Sequence, residues 1–297
     1  KKSWKWVFSS MASYGHGMEI EFEGSHGEAG WSQWEEGVPR TSSSILETVR
    51  TGNDAQGTAK GKPNPQASRN KALLREYMNE DKYNIGGKLY TICNIYYDTN
   101  DNYLIQQSVS KPIYKEKLRL RGYGVPKPGD LVFLEIKKKF KGVVNKRRTR
   151  LEIEEAKRYI ETGIMPEPKP YINQQVMKEI DYFTHIYDLK PRLYLAYDRL
   201  AFFDKNDPEF RVSFDTNIRT RRYDLSLDAG DYGEPMFDDD VWLMEVKINK
   251  NLPLWFTHLL NENEIFHRSF SKYGTEYARM TGKGRVDNAS ELRSSIL

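Results

Sequence analysis

The sequence predicts an α+β protein in which antiparallel strands close into a β-barrel with helices flanking it. Three observations lead there. Short runs alternate apolar and polar side chains at period two, the spacing of strands with one buried face. Turn segments such as "VPKPGD" (125–130) and "KGVV" (141–144) join consecutive runs, as in an antiparallel meander. The polar faces of these runs are mostly cationic. A flat sheet with so many like charges on one side would repel itself, whereas a sheet closed around them makes a positive tube that calls for an anionic filling.

Taken in order, residues 1–66 are rich in Gly, Ser, Asn and Pro and form an atypical N-terminal segment, in which only "MEIEFEG" (18–24) alternates like a strand. Residues 67–280 are the expected barrel domain. "KALLREYMNED" (71–81) reads as a short helix and "KLYTICNIYYDT" (88–99) as a strand. "YKEKLRLRGYG" (114–124), "LVFLEIKKKF" (131–140) and "NKRRTRLEI" (145–153) are three further strands. "NQQVMKEIDYFTHIYDL" (173–189) spaces Val176, Ile180, Phe183 and Tyr187 as one face of a helix. Strands resume at "PRLYLAYDRLAFF" (191–203), "FRVSFD" (210–215) and "VWLMEVKI" (241–248), and Pro253 opens a helix over "LPLWFTHLLN" (252–261). Residues 281–297 form a tail.

Composition narrows the class. Charged residues make up 30% of the 297, and no run of 18 apolar residues appears, so a cytoplasmic setting with no membrane span in this chain is expected. Cys93 is the single cysteine, which excludes an internal disulfide and a cysteine-cluster metal site. Between Lys111 and Arg150 stand fourteen Lys and Arg against three acids, a local charge of +11; with the whole chain at +4, the remainder is −7.

Alternation places the charges. Lys115, Lys117, Arg119 and Arg121 share one strand face, opposite Glu116, Leu118 and Leu120. The next strand aligns Phe133, Glu135, Lys137 and Lys139, and the third aligns Lys146, Arg148 and Arg150. Tyr197 with Arg199, Arg211 with Asp215, and Glu245 with Lys247 share faces in the later strands. Such a set suits a cavity that binds a polyanion. Nucleic acid is not expected, because Tyr123 and Tyr197 are too few for the stacking platforms that nucleic-acid grooves display.

In this order, "YKEKLRLRGYG", "VFLEIKKK", "NKRR", "AYDRLAF", "FRVSFDT", "LMEVK", "LPLW" and "SFSKYG" resemble the catalytic domain of the vacuolar transporter chaperone (VTC) polyphosphate polymerases, members of the triphosphate tunnel metalloenzymes. The resemblance spans roughly residues 71–277 and implies the tunnel fold. It also implies that Arg119, Arg121, Lys137, Lys146, Arg148, Arg199, Arg211 and Lys272 contact phosphates, with Tyr197 and Ser271 in support and Lys115, Lys117 and Lys247 adding charge. Glu245 would be the metal-binding carboxylate, with Glu135 as a second candidate and Mn²⁺ or Mg²⁺ as the ion. One departure concerns the strand that precedes the first helix in the family: "GKPNPQASRN" stands in its place, so either "MEIEFEG" supplies that strand or the barrel lacks it.

The implied activity is transfer of the γ-phosphoryl group of ATP to a growing inorganic polyphosphate chain, which requires positioning and charge neutralisation but no protein nucleophile. Two rivals share these residues: a tunnel triphosphatase acting on tripolyphosphate or a nucleoside triphosphate, and a non-catalytic polyanion binder. The eukaryotic members carry an inositol-phosphate sensor domain and a membrane anchor that are not expected in this chain, and a membrane partner is left open.

Overall fold

A computed structural model describes residues 6–11, 65–237, 241–248, 251–266 and 269–282. Its centre is one large, mainly antiparallel sheet. The strands are β1 (Trp6–Met11), β2 (Met78–Glu80), β3 (Tyr90–Asp98), β4 (Tyr114–Tyr123), β5 (Leu131–Phe140), β6 (Val143–Glu152), β7 (Lys190–Asp204), β8 (Arg211–Arg221), β9 (Glu234–Pro235) and β10 (Trp242–Lys247). Their spatial order is β1-β10-β8-β7-β3-β4-β5-β6, with β2 beside β7 and β9 beside β8. β1 runs parallel to β10, and every other pairing is antiparallel.

The sheet curls without closing: among the described residues β6 and β1 end the path and do not pair with each other. Five steps separate β5 from β10, about 24 Å across a flat sheet. Yet Glu245 on β10 acts on the charge of Lys137 on β5, and Arg148 on β6 acts on that of Lys247 on β10. Only a strongly bent sheet brings those side chains within range. The bending has local causes: the register of β3 against β7 slips at Tyr96/Tyr97, that of β7 against β8 slips at Ala196/Asp198, and Asn217 adopts φ 48°. Such bulges increase twist and turn a strand.

Among the described residues six α-helices accompany the sheet: α1 (Pro65–Tyr77), α2 (Tyr103–Val109), α3 (Ile153–Thr162), α4 (Gln174–Ile186), α5 (Leu254–Glu262) and α6 (Lys272–Thr281). On the convex side, Leu118, Leu120, Leu134 and Ile136 pack with Tyr159 of α3 and Val176, Ile180 and Phe183 of α4. The other half of that side buries Phe202, Val212, Phe214 and Met244 with Leu74 of α1 and Phe256 and Leu259 of α5. Inside the curl, Tyr96, Leu195, Ile218 and Leu243 meet Ile105 of α2 and Tyr273 and Tyr277 of α6. This third cluster plugs part of the concavity with apolar atoms, and the cations line the rest.

Helix α4 lies where periodicity places it, and α5 follows Pro253, which marks a helix start. The helix expected over 71–81 begins earlier, at Pro65, and gives way to β2 at Met78, so "GKPNPQASRN" contributes a helix start. Helices α2, α3 and α6 add to the elements expected from the sequence, although α3 and α6 are amphipathic, burying Ile153, Ala156 and Tyr159 in one and Tyr273 and Tyr277 in the other. α3 follows β6 with no Gly or Pro between them; a capping box of Glu152 and Glu155 makes the change of conformation. Asp98 forms the start of α2 by accepting from the backbone N–H groups of Leu104 (2.8 Å) and Ile105 (3.0 Å), and it also accepts from the Tyr273 hydroxyl (3.0 Å), tying α2 and α6 to β3. "MEIEFEG" lies outside the described residues. The described strand of the N-terminal segment is β1, in "WVFSSM", where serines interrupt the apolar pattern. No helix among the described residues is long and apolar enough to cross a membrane.

Candidate active site

The concave face of β4, β5 and β6 holds a carboxylate inside a ring of cations. Glu135 is 1% exposed. Its Oε2 accepts from Arg119 Nε at 2.7 Å and lies 2.6 Å from Arg119 Nη2, while its Oε1 accepts from Lys146 Nζ at 2.9 Å. Arg121 Nε and Arg148 Nη1 lie farther out, at 4.0 and 3.9 Å. Cross-strand register makes this ring: Arg119 pairs with Glu135, and Glu135 with Arg148. Burial alone would push the carboxyl up, but Arg119, Arg121 and Lys146 hold it well below the usual carboxylate range. Glu135 is therefore an ionised counter-charge, both of whose oxygens are engaged. Arg121 is oriented from the other side, donating to Asn94 Oδ1 (2.9 Å) and the Tyr197 hydroxyl (3.2 Å).

A second carboxylate organises the opposite side. Asp215 is fully buried and accepts from Arg199 at two points, Nε to Oδ1 at 2.6 Å and Nη2 to Oδ2 at 2.9 Å. Lys272, the first residue of α6, donates to Oδ2 at 2.6 Å. Burial acts to raise the carboxyl, but Arg199 and Lys272 bring it down to about 2. The Tyr197 ring lies beneath both cations, 5.2 Å from Arg199 Cζ and 4.5 Å from Lys272 Nζ. Glu245 Oε2 is 3.6 Å from Arg199 Nη2, with its side chain 23% exposed. Among the described residues the Glu245 carboxylate accepts no hydrogen bond, so it is the acid whose oxygens remain available.

Between these groups lie cations with no acid of their own among the described residues. Lys117 meets the Ser271 hydroxyl at 3.2 Å and lies 5.9 Å over the Tyr273 ring, and Lys115 donates to the Ser108 carbonyl at 3.0 Å. Burial, then the neighbouring Lys137, Lys115 and Arg119, bring Lys117 down to about 7. Lys137 is brought to about 8 by burial and by Arg119, Lys139 and Lys115, against the pull of Glu245. Lys115 and Lys247 are lowered by the same combination of burial and adjacent cations. Lysines lose charge affinity this way where the fold crowds positive charge without supplying the anion to match. A bound polyanion would supply it.

The VTC domain model matches residues 63–281, about three quarters of the chain. The chain belongs to the VTC domain family. A search of curated proteins gives no match. Among solved structures, the VTC domain is similar to a candidate adenylate cyclase from Bacillus halodurans, at 17% identity over 69% of this chain and 88% of that one, with a TM-score of 0.41. It is also similar to a candidate adenylyl cyclase from Hippeastrum described as having a dominant triphosphatase activity, at 16% identity over 74% and 92% of the two chains, with a TM-score of 0.38. A candidate adenylate cyclase from Vibrio parahaemolyticus gives 11% identity over 73% and 94%, with a TM-score of 0.36. Likenesses at these identities and scores assign no activity to the VTC domain.

In the VTC domain, the expected residues separate into two sets. Arg119, Arg121, Lys146, Arg148, Arg199 and Lys272 are clustered around Glu135 or Asp215. Lys115, Lys117, Lys137 and Lys247 line the space between. Arg211 stands nearer solvent, donating to the Pro208 carbonyl at 3.0 Å and stacked 4.8 Å over Phe203. Ser271 caps α6 by accepting from Gly274 N–H at 3.1 Å, besides meeting Lys117. Sequence reasoning missed the organising role of Asp215, whose face it shares with Arg211. It also missed an aromatic group made by Tyr83, Tyr90, Tyr123 and Phe133, with ring centroids 5.6–6.3 Å apart. Strand alternation does put Tyr123 and Phe133 on the cationic side, whereas Tyr90 joins them through its pairing with Arg199.

Proposed function

We propose that this VTC domain is a polyphosphate polymerase that moves the γ-phosphoryl group of ATP onto the end of an inorganic polyphosphate chain lying in the concave groove. The observation that carries the proposal is the set Lys115, Lys117 and Lys137, crowded together and lowered by burial and neighbouring cations, with no acid in ion-pair contact among the described residues. A chain of phosphates restores the missing negative charge along the whole row.

The chemistry needs no protein nucleophile. A terminal phosphate oxygen of the chain attacks the γ-phosphorus, the bond from that phosphorus to the β,γ-bridging oxygen breaks, and ADP leaves with the electron pair. Arg119, Arg121 and Arg199 act as fixed donors, each already oriented by Glu135, Asn94 or Asp215, so little reorganisation is required when charge shifts in the transition state. Lys272 is held in place by Asp215 and brings charge from α6 to the same place.

Among the described residues no group of three or more His, Cys, Asp or Glu gathers as a metal site. The residues do fit an ion that arrives with its phosphates. Glu245 offers one available carboxylate, and Mg²⁺ or Mn²⁺ is commonly completed by substrate oxygens and water. Held by Glu245, such an ion would supply positive charge that neutralises part of the charge of the phosphates. We assign Glu245 rather than Glu135 to this role, because both Glu135 oxygens are engaged by Arg119 and Lys146.

The test is incubation of the purified protein with ATP and Mn²⁺, followed by separation of the products by chain length. Long polyphosphate with ADP is the expected result; orthophosphate alone would assign hydrolysis instead, and intact ATP would leave only binding.

A further inference from the structure

One end of the groove carries a feature that a phosphate chain does not need. Tyr90, at the start of β3, pairs across the sheet with Arg199, and Ile92 pairs with Tyr123 at the end of β4. Tyr83 comes over them from the 3₁₀ turn Lys82–Gly87. Its ring lies 6.2 Å from that of Tyr123 with the planes only 16° apart, and Tyr90 sits 5.8 Å from Tyr83 and 6.3 Å from Tyr123. Phe133 braces Tyr123 edge-on at 5.6 Å, and the Arg148 guanidinium lies 4.6 Å over the Phe133 ring. Phe133, Arg148 and Arg150 also line a cavity of about 370 Å³.

Within this cluster the inner rings are sheltered and the outer ones are not: Tyr83 is 59% exposed and Tyr123 is 46% exposed. The outer pair therefore offers apolar ring surface to solvent at the place where the cations begin, with Arg199 next to Tyr90 and Arg148 over Phe133. Inorganic polyphosphate has no surface that would cover those rings. A nucleoside triphosphate has both parts, an anionic chain for the arginines and a flat aromatic base for the tyrosines.

We infer that Tyr83 and Tyr123 form a base-stacking subsite at the mouth of the groove, which takes the base of a nucleoside triphosphate and directs its phosphates inward past Arg199 and Arg148. This inference rests on the proposed use of the groove for phosphates, and it adds a reason for the nucleotide to enter from one end. Stacking recognises a π-face rather than a hydrogen-bonding edge, so the subsite accepts purine bases with little discrimination between them.

The experiment compares metal-free binding of ATP and of tripolyphosphate by calorimetry in the wild type, in Tyr83→Ala, in Tyr123→Ala and in Tyr123→Phe. ATP affinity is expected to fall about 5- to 150-fold in the alanine variants and to hold in the phenylalanine one, while tripolyphosphate affinity stays unchanged throughout. ATP and tripolyphosphate weakened equally, or neither weakened, would overturn the stacking subsite and leave the phosphate groove standing. Failure of the wild type to bind tripolyphosphate would overturn the groove and the subsite with it. Tyr83, the most exposed of these rings, is the variant least able to disturb folding, so a loss specific to ATP there cannot be attributed to a damaged sheet.

Discussion

Arg199 and Asp215 form a two-point ion pair at 2.6 and 2.9 Å in the interior of the curled sheet, and Lys272 closes on the same carboxylate at 2.6 Å. One buried anion thus fixes two cations from different parts of the chain, one on β7 and one on α6, facing the same space. Removing it should do more than remove a charge. Asp215→Ala leaves Arg199 and Lys272 buried without a partner, and urea unfolding should show a loss of about 3–5 kcal/mol. Retention of wild-type stability would mean that water reaches the pair and the site is not preorganised.

The two glutamates on the groove should separate. Glu245→Gln keeps shape but removes the available carboxylate, so polyphosphate synthesis should collapse while metal-free tripolyphosphate binding holds or tightens. Glu135→Gln removes the counter-charge of Arg119 and Lys146, so its main effect should be a lower melting temperature of the ligand-free protein, recovered by added tripolyphosphate. Near-normal synthesis in Glu245→Gln would dismiss its metal role.

Arg119 and Arg211 should also behave differently. Arg211, with 42% of its side chain exposed and no buried acid to support, can be lost without strain. Arg211→Ala should weaken tripolyphosphate binding about tenfold or more at unchanged melting temperature. Arg119→Ala should weaken binding and lower the melting temperature together, since Glu135 loses its shortest partner. Equal stability of the two variants would contradict the ring around Glu135.

Lys117 at about 7 and Lys137 at about 8 give a pH dependence with two opposite signs. In the unfolded chain these lysines titrate near the ordinary value of about 10.4. Between about pH 7 and pH 10 the unfolded chain holds protons that the folded protein has released, so the stability of the ligand-free protein should rise with pH across that window. Binding of long-chain polyphosphate, whose internal phosphates stay ionised throughout, requires those lysines protonated, and its affinity should fall over the same window. Melting curves and calorimetry at pH 7 and pH 9 check both; affinity that is flat in pH would remove these lysines from the binding row.

The sequence by itself determined which residues share a face. Period-two alternation follows from backbone geometry alone, and it put Arg119 with Arg121, Glu135 with Lys137, and Glu245 with Lys247 on one side of their strands before any partner was known. It also located α4, from apolar residues at helical spacing, and α5, from Pro253 at its start. Tertiary structure alone decided which faces meet. That Glu245 of β10 acts on Lys137 of β5 depends on how far the sheet bends, and the bends sit at slips in pairing near Tyr96 and Ala196 that single-strand periodicity does not encode. The same holds for Asp215, an ordinary strand acid until α6 brings Lys272 to it across 57 residues, and for Tyr83, a turn residue until the 3₁₀ segment sets it over Tyr123. Among the described residues the curled sheet is open between β6 and β1, where a closed barrel is expected, and which strands pair is a property of the backbone ladder that the side-chain pattern of a single strand does not specify.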